Sequence, residues 1–378
     1  MAVHRVANID LLRGFVIVLM ALDHVRMFFS LANFDPMDLT STNPLWFMTR
    51  WITHLCAPSF ILLAGMGIGY SKKPKEKLGP FLLSRGIWLV FLEITFINIG
   101  WGSGFITGTT MLAVLWALGV SMIFVSIGIY INKHLFLAIC IGLILGHNLL
   151  DSYDEGLMMA LGPTWSILHK KHFFTFLGQK VYLVYPLIPW VGLMGIGYFM
   201  GKWQRLREDP SIYLKLGLGL ICSFVILRLG SIYGDLNQWD ENQPGIFSLL
   251  SFIKVSKYPP SLHYILITIG ISSCLLYFFR KLKGFPALIL GTFGRVPLFF
   301  YVLHIPFIHL LASSWRFSMY DLEWTWWISK NSIPKEILTP NLLTVYLAWL
   351  LTLALLFPLV KKYDSFKSRT KSWWVSYL

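Results

Sequence analysis

The feature that most constrains this chain is a succession of apolar stretches, each about twenty residues long, the length a helix needs to cross the hydrocarbon core of a bilayer. Inside a bilayer each backbone N–H and C=O must be satisfied within the protein, so such stretches are read as helices. Composition agrees with that setting. Of 378 residues, 56% are hydrophobic and 13% charged, against about 25% charged in soluble domains, which argues against a soluble enzyme. The aromatic residues, with 16 Trp and 16 Tyr among them, suit the membrane–water interface.

Ten spans can be drawn, at about residues 9–31, 51–71, 80–99, 109–131, 134–150, 181–201, 211–230, 259–280, 286–312 and 340–360. Every even-numbered span is followed by basic residues: Lys72, Lys73, Lys75 and Lys77; Lys133; Lys202, Arg205 and Arg207; Arg280, Lys281 and Lys283; Lys361, Lys362, Lys367, Arg369 and Lys371. Cytoplasmic loops show this bias, so both termini are expected in the cytoplasm. The opposite loops carry Asp35, Asp38, Asp151, Asp154, Glu155, Asp235, Asp240, Glu241, Asp321 and Glu323 and are expected outside. The fold expectation is an all-α polytopic transmembrane helical bundle, a single integral-membrane domain over residues 1–378 with a short cytoplasmic tail from about 361 to 378. The first span is interrupted by Asp10 and Arg13 and reads as a retained helix rather than a signal peptide.

A net charge of +14 raises the question of nucleic acid, but the basic residues fall in short tracts between spans, and topology accounts for them. No nucleic-acid partner is expected. Cys56, Cys140, Cys222 and Cys274 each sit in an apolar span without CxxC spacing, so neither a disulfide framework nor a Cys-bound metal is expected.

Ionisable residues inside spans carry the functional signal, because each costs several kcal/mol in hydrocarbon and needs a partner or a wet cavity. The first span holds Asp10, Arg13, Asp23, His24 and Arg26. Eleven helical steps from Arg13 to His24 return to nearly the same face, about 16 Å further along. Asp23 and Arg26, three apart, can pair beside the His24 ring; a local ion pair at a helix end is the structural alternative. His24 suits proton transfer near neutral pH. In the second span Arg50 and His54 share a face, Pro58 weakens the ladder beside them, and Ala64, Gly65 and Gly67 permit close helix approach.

Later in the chain Lys257 opens span eight, and Arg295 and His304 lie in span nine. Arg295 can meet a phosphate or reach lipid headgroups, whereas His304, between Pro297 and Pro306, is expected to face the bundle interior. Glu93 and Asn98 read as structural hydrogen-bonding groups. There is no HExxH, GxxxxGK[ST] or GxSxG, and His169 and His172 flank two lysines in a poor zinc pattern. No metal is assigned.

Residues 9–29 (IDLLRGFVIVLMALDHVRMFF), 49–65 (TRWITHLCAPSFILLAG), 257–262 (KYPPSL) and 294–309 (GRVPLFFYVLHIPFIH) together resemble bacterial members of the heparan-α-glucosaminide N-acetyltransferase catalytic-domain group. The Arg13-x10-His24 spacing is similar to a signature of the wider membrane acyltransferase-3 superfamily. The resemblance implies transfer of an acyl group, acetyl above all, from cytoplasmic acyl-CoA to a hydroxyl or amine of a sugar-like acceptor at the outer face of a bacterial inner membrane. It implies His24 as base or nucleophile with Asp23 orienting or stabilising its ring, Arg26, Arg50 and His54 on the acceptor side, Arg13 and Arg295 on the CoA side, and Lys257 and His304 touching either. In the lysosomal relatives the favoured histidine follows the first helix, and residues 31–49 contain none, which leaves His24 and His54 both open as the base. Expected partners are acetyl-CoA as donor, a glycan or amino-sugar acceptor and membrane lipid, with a homodimer left open. The rival class is a proton-coupled secondary transporter, since buried Asp, Arg and His also mark proton relays.

Overall fold

A computed structural model describes residues 7–104, 108–320, 340–370 and 372–377. The outer acids Asp321 and Glu323 lie outside the described residues. The helices run α1 (Ala7–Phe29), α2 (Pro44–Trp51), α3 (Cys56–Gly69), α4 (Lys75–Leu92), α5 (Asn98–Gly100), α6 (Val114–Gly128), α7 (Lys133–Gly146), α8 (Asp154–Leu161) and α9 (Pro163–Leu168). They continue with α10 (Ile188–Lys202), α11 (Arg205–Glu208), α12 (Ser211–Gly230), α13 (Ile246–Ile253), α14 (Leu262–Phe278), α15 (Gly284–Arg295), α16 (Pro297–Tyr320) and α17 (Leu342–Arg369). Seven continuous helical segments among the described residues are long and apolar enough to cross a membrane: Pro44–Gly69, Lys75–Gly100, Lys133–Leu161, Ser211–Gly230, Leu262–Lys281, Pro297–Tyr320 and Leu342–Arg369. The chain is an integral membrane protein built mostly of helix.

The ten drawn spans differ from these segments in instructive ways. Span one is α1, long enough but carrying four charges, and it is covered by helices α3, α14, α15, α16 and α17. Its Leu12, Val16, Ile17, Ala21 and Val25 are fully buried, as befits a helix surrounded by others. Spans four and six each begin as a strand and leave helices of only 15 residues, α6 and α10. At 1.5 Å per residue these reach about 22 Å, short of the hydrocarbon thickness. Span nine breaks at Val296 between α15 and α16, where the backbone leaves helical geometry ahead of Pro297.

Three short strands add a small sheet to the mostly helical bundle. β1 (Thr109–Leu112), β2 (His172–Phe176) and β3 (Gln179–Leu183) form one sheet in the order β1-β3-β2. Residues β-branched or aromatic dominate β2, and the two-residue turn Leu177-Gly178 takes positive φ at both positions, which matches the right-handed twist of a hairpin. β1 then pairs parallel to β3, Thr109 opposite Lys180 through Leu112 opposite Leu183.

Glycine fixes the closest helix approaches. A Cβ on Gly14 would collide with the Leu290 carbonyl oxygen and one on Gly294 with that of Asp10, so α1 and α15 meet backbone to backbone. Gly65 and Gly69 of α3 meet Gly197 and Gly201 of α10 in the same way, two small-xxx-small runs facing each other. Gly67, by contrast, has open space where its Cβ would be.

Replacing Gly294 by Val should therefore lower the thermal midpoint of the detergent-solubilised protein by the equivalent of about 1–3 kcal/mol of overpacking. Gly67→Ala should leave the midpoint unchanged or slightly raised, because the methyl meets nothing and the helix gains propensity. A Gly294→Val midpoint equal to wild type would contradict the close α1–α15 contact.

Candidate active site

The end of α1 nearer the acidic loops gathers the ion cluster. Asp23 accepts from Arg26 Nη2 at 2.9 Å and Nε at 3.3 Å on one oxygen, and from Arg50 Nη1 at 3.1 Å on the other. Arg50 is carried there by α2, whose start is set by Asn43: its side chain caps the N–H groups of Leu45 and Trp46, with Pro44 at the first helical position. The same Arg50 nitrogen also donates to Thr53 Oγ1 at 2.8 Å, which in turn donates to the Arg50 carbonyl. Asp23 therefore spends both oxygens on guanidinium groups. Of the two roles expected of Asp23, orienting the His24 ring or stabilising its cation, the second asks only for the carboxylate's charge beside the ring.

His304 contacts that ring directly. His304 Nδ1 lies 2.8 Å from the Tyr301 carbonyl and 3.1 Å from that of Phe300. Carbonyls only accept, so Nδ1 carries the proton and His304 Nε2 presents a lone pair. His24 Nδ1 stands 2.7 Å from that Nε2 and must donate to it, which leaves the lone pair of neutral His24 on Nε2. The rings are nearly stacked, 22° apart, and Trp101 packs edge-on against His24 at 4.9 Å between centroids. His304 is fully buried and faces inward, as its position between two prolines implied.

His54 sits on a 3-10 turn, Ile52–Leu55, between α2 and α3. Pro58 has no N–H for the His54 carbonyl, and Tyr264 of α14 takes its place, its hydroxyl donating at 2.8 Å. The His54 ring is buried against Tyr264 and Trp51 with Nδ1 lacking a partner, and its bonds do not reach His24. Lys257 lies half-buried in the loop before α14, its Nζ 5.2 Å from the Tyr258 ring. Burial alone would raise the Tyr258 hydroxyl, but the Lys257 and Arg50 charges bring it below the usual phenol value.

At the other end of the bundle a cavity of about 1350 Å³ opens. Its lining includes Arg13, Arg295 and six further Lys or Arg, among them Lys72, Arg85, Arg207 and Arg280, and no carboxylate. The basic exits of spans two, six, eight and ten thus converge on one mouth. Arg13 donates to Asp10 at 3.0 Å and to the Gly294 carbonyl at 3.2 Å. Arg295 makes a bidentate pair with Asp364, with contacts of 2.6–3.0 Å, so it is anchored to α17 rather than to lipid. The inner walls turn apolar and end at Met20 and Tyr301, about one helical turn before His24 and His304. Neither His24 nor His54 lines it.

Glu93 and Asn98 are structural, as expected. Glu93 Oε2 accepts the N–H groups of Leu115 and Trp116 at the start of α6, and Asn98 Oδ1 accepts that of Met111. The π-helical turn Glu93–Ile97 aims the carboxylate there.

The family model described as heparan-alpha-glucosaminide N-acetyltransferase, catalytic, matches residues 5–225. The chain belongs to this family. No curated protein matches the chain. The acetyltransferase match covers Arg13, Asp23, His24, Arg26, Arg50 and His54, whereas Lys257, Arg295 and His304 lie beyond it. The family name gives the class, a membrane N-acetyltransferase.

The charge pairing generates a test. Asp23→Asn leaves two guanidinium groups without their shared carboxylate and should cost about 3–5 kcal/mol, as breaking a buried ion pair does. Adding Arg50→Leu should recover part of that loss in a double-mutant cycle of thermal unfolding; strict additivity would mean the two residues do not interact.

Proposed function

We propose that this protein moves an acetyl group from acetyl-CoA, bound from the cytoplasm in the basic cavity, to a hydroxyl or amine of a sugar-like acceptor at the outer face of a bacterial inner membrane, with His24 as general base. The observation that carries the reading is the His24 Nδ1 to His304 Nε2 contact of 2.7 Å, which leaves His24 Nε2 with an available lone pair. The cavity supports the donor side: cations at the mouth suit CoA phosphates, and the apolar inner walls suit the thioester arm. Its extent exceeds the roughly 300–1,000 Å³ of ordinary small-molecule pockets.

The steps follow from those positions. The acceptor O–H or N–H gives its proton to His24 Nε2 as its oxygen or nitrogen attacks the thioester carbonyl. The C–S bond breaks, and the His24 proton goes to the departing CoA sulfur, so the base is regenerated. His304 holds the His24 tautomer and can share the imidazolium charge. Arg50 and Arg26, already spent on Asp23, present their remaining N–H groups near the acceptor side, and Lys257, His54 and Tyr258 adjoin them. Arg13 and Arg295 hold the donor. His54 as base is less favoured, because its Nδ1 has no partner to fix the tautomer.

Purified protein given acetyl-CoA and amino sugars or glycans should release free CoA thiol. His24→Ala should reduce turnover by about 10²–10⁴, the usual worth of a general base, while acetyl-CoA binding persists; wild-type turnover in that variant would refute the assignment. Arg13→Ala should raise KM for acetyl-CoA about tenfold, as loss of one charge-assisted contact implies, with kcat nearly kept. An unchanged KM would remove Arg13 from the donor site.

A further inference from the structure

Three tyrosines line the basic cavity, and they differ in what holds their hydroxyls. Tyr70 and Tyr213 belong to the cationic mouth: their hydroxyl oxygens are 3.4 Å apart, and the Arg207 guanidinium lies over the Tyr70 ring at 5.0 Å. Tyr301 stands at the deep end, among Met20, Leu89 and Leu115. It is 7% exposed, yet its hydroxyl makes no hydrogen bond to a described residue. Glu93, whose charge acts on it, leaves its own Oε1 without a partner. An unbonded O–H among apolar side chains costs about 1–3 kcal/mol, so the acceptor for this one comes from the contents of the cavity.

The helix sets the aim. A long helical side chain leans toward the N-terminus of its own helix, and α16 begins at Pro297, beside Arg295 at the cationic end. Tyr301 therefore leans into the cavity. Its backbone carbonyl points the other way along the axis and accepts from His304 Nδ1 at 2.8 Å. The Tyr301 and His24 rings both flank that of His304, at 5.4 and 4.9 Å between centroids.

We infer that the Tyr301 hydroxyl donates to the thioester carbonyl oxygen of acetyl-CoA and stabilises the negative charge that develops there during transfer. The inference rests on the reading of this cavity as the donor site. As the acceptor attacks the carbonyl carbon, the C=O π electrons move onto oxygen, and they return when the C–S bond breaks. The Tyr301 O–H bond stays intact throughout, and its hydrogen bond strengthens as the oxygen gains charge. The cavity's cations are placed for other work: Arg13 and Arg295 are paired with Asp10 and Asp364 near the mouth, and Arg26 and Arg50 do not line it.

The decisive test needs neither an acceptor nor turnover. Acetyl-CoA labelled at its thioester carbonyl carbon is bound to detergent-solubilised wild type and to Tyr301→Phe, which keeps the ring and removes only the hydroxyl. Isotope-edited infrared difference spectroscopy then reads the carbonyl band. A hydrogen bond weakens the C=O stretch, so the band should lie at lower frequency in the wild type than in the variant, while CoA, which has no thioester, binds both equally. With an acceptor that the wild type uses, Tyr301→Phe should lower kcat about 10²–10³-fold, the usual worth of one such donor, with KM for acetyl-CoA nearly kept. Identical bands with acetyl-CoA bound to both proteins, or an unchanged kcat, would overturn the role of Tyr301 and leave the donor site standing. Failure of acetyl-CoA to bind the wild type would instead overturn the donor site, and this inference with it.

Discussion

Inside a bilayer no water is at hand for a carboxylate or a guanidinium, so each must find its counterpart in another part of the chain. Asp23 is answered by Arg26 on its own helix and by Arg50 from α2, and Arg295 is answered by Asp364 from α17. These pairs decide where α1, α2, α15 and α17 can stand relative to one another. Because removing one member of such a pair costs more than the pair itself contributes, they act as registration pins rather than as sources of stability. The glycine contacts between α1 and α15 then set how near the backbones come.

That arrangement separates two regions along α1. One end, with Arg13, belongs to a wide cavity whose charged lining residues are all cations; the other, with Asp23 and His24, belongs to a compact polar cluster. The two are divided by about one helical turn of apolar side chains, Met20 on α1 and the residues near Tyr301 on α16. A thioester arm entering from the cationic end reaches the histidine pair only by displacing or threading that turn. The two regions also make α1 central: α3, α14, α15, α16 and α17 all pack on it.

Much of this could be read from the sequence, and the reasons for the remainder are physical. The stripe on α1 was legible because 3.6-residue periodicity relates Arg13, Asp23, His24 and Arg26 within one helix. The alternation of basic and acidic loops was legible for a similar local reason, and the basic exits of spans two, six, eight and ten do meet at one mouth. Partners supplied from elsewhere were not: His304 is 280 residues from His24, Asp364 is 69 from Arg295, and Tyr264 replaces a hydrogen bond that Pro58 cannot give. Hydropathy also hid the strands, since the aromatic and β-branched residues of β3 score as apolar whether they enter lipid or pair with β1 and β2. The arginine that shares Asp23 with Arg26 was equally out of reach of local spacing, because Arg50 comes from α2, 27 residues along the chain.

The direction of the hydrogen bonds in the histidine pair has a consequence for energetics. His304 ends the chain of proton carriers, because beyond its Nδ1 stand only the backbone carbonyls of Phe300 and Tyr301, which do not pass protons on. On the reading proposed here, a proton lodged on His24 has no onward wire through α16 and leaves the way the thiol leaves. Acetyl transfer would then be electroneutral at that depth, running at the same rate in energised and in de-energised vesicles.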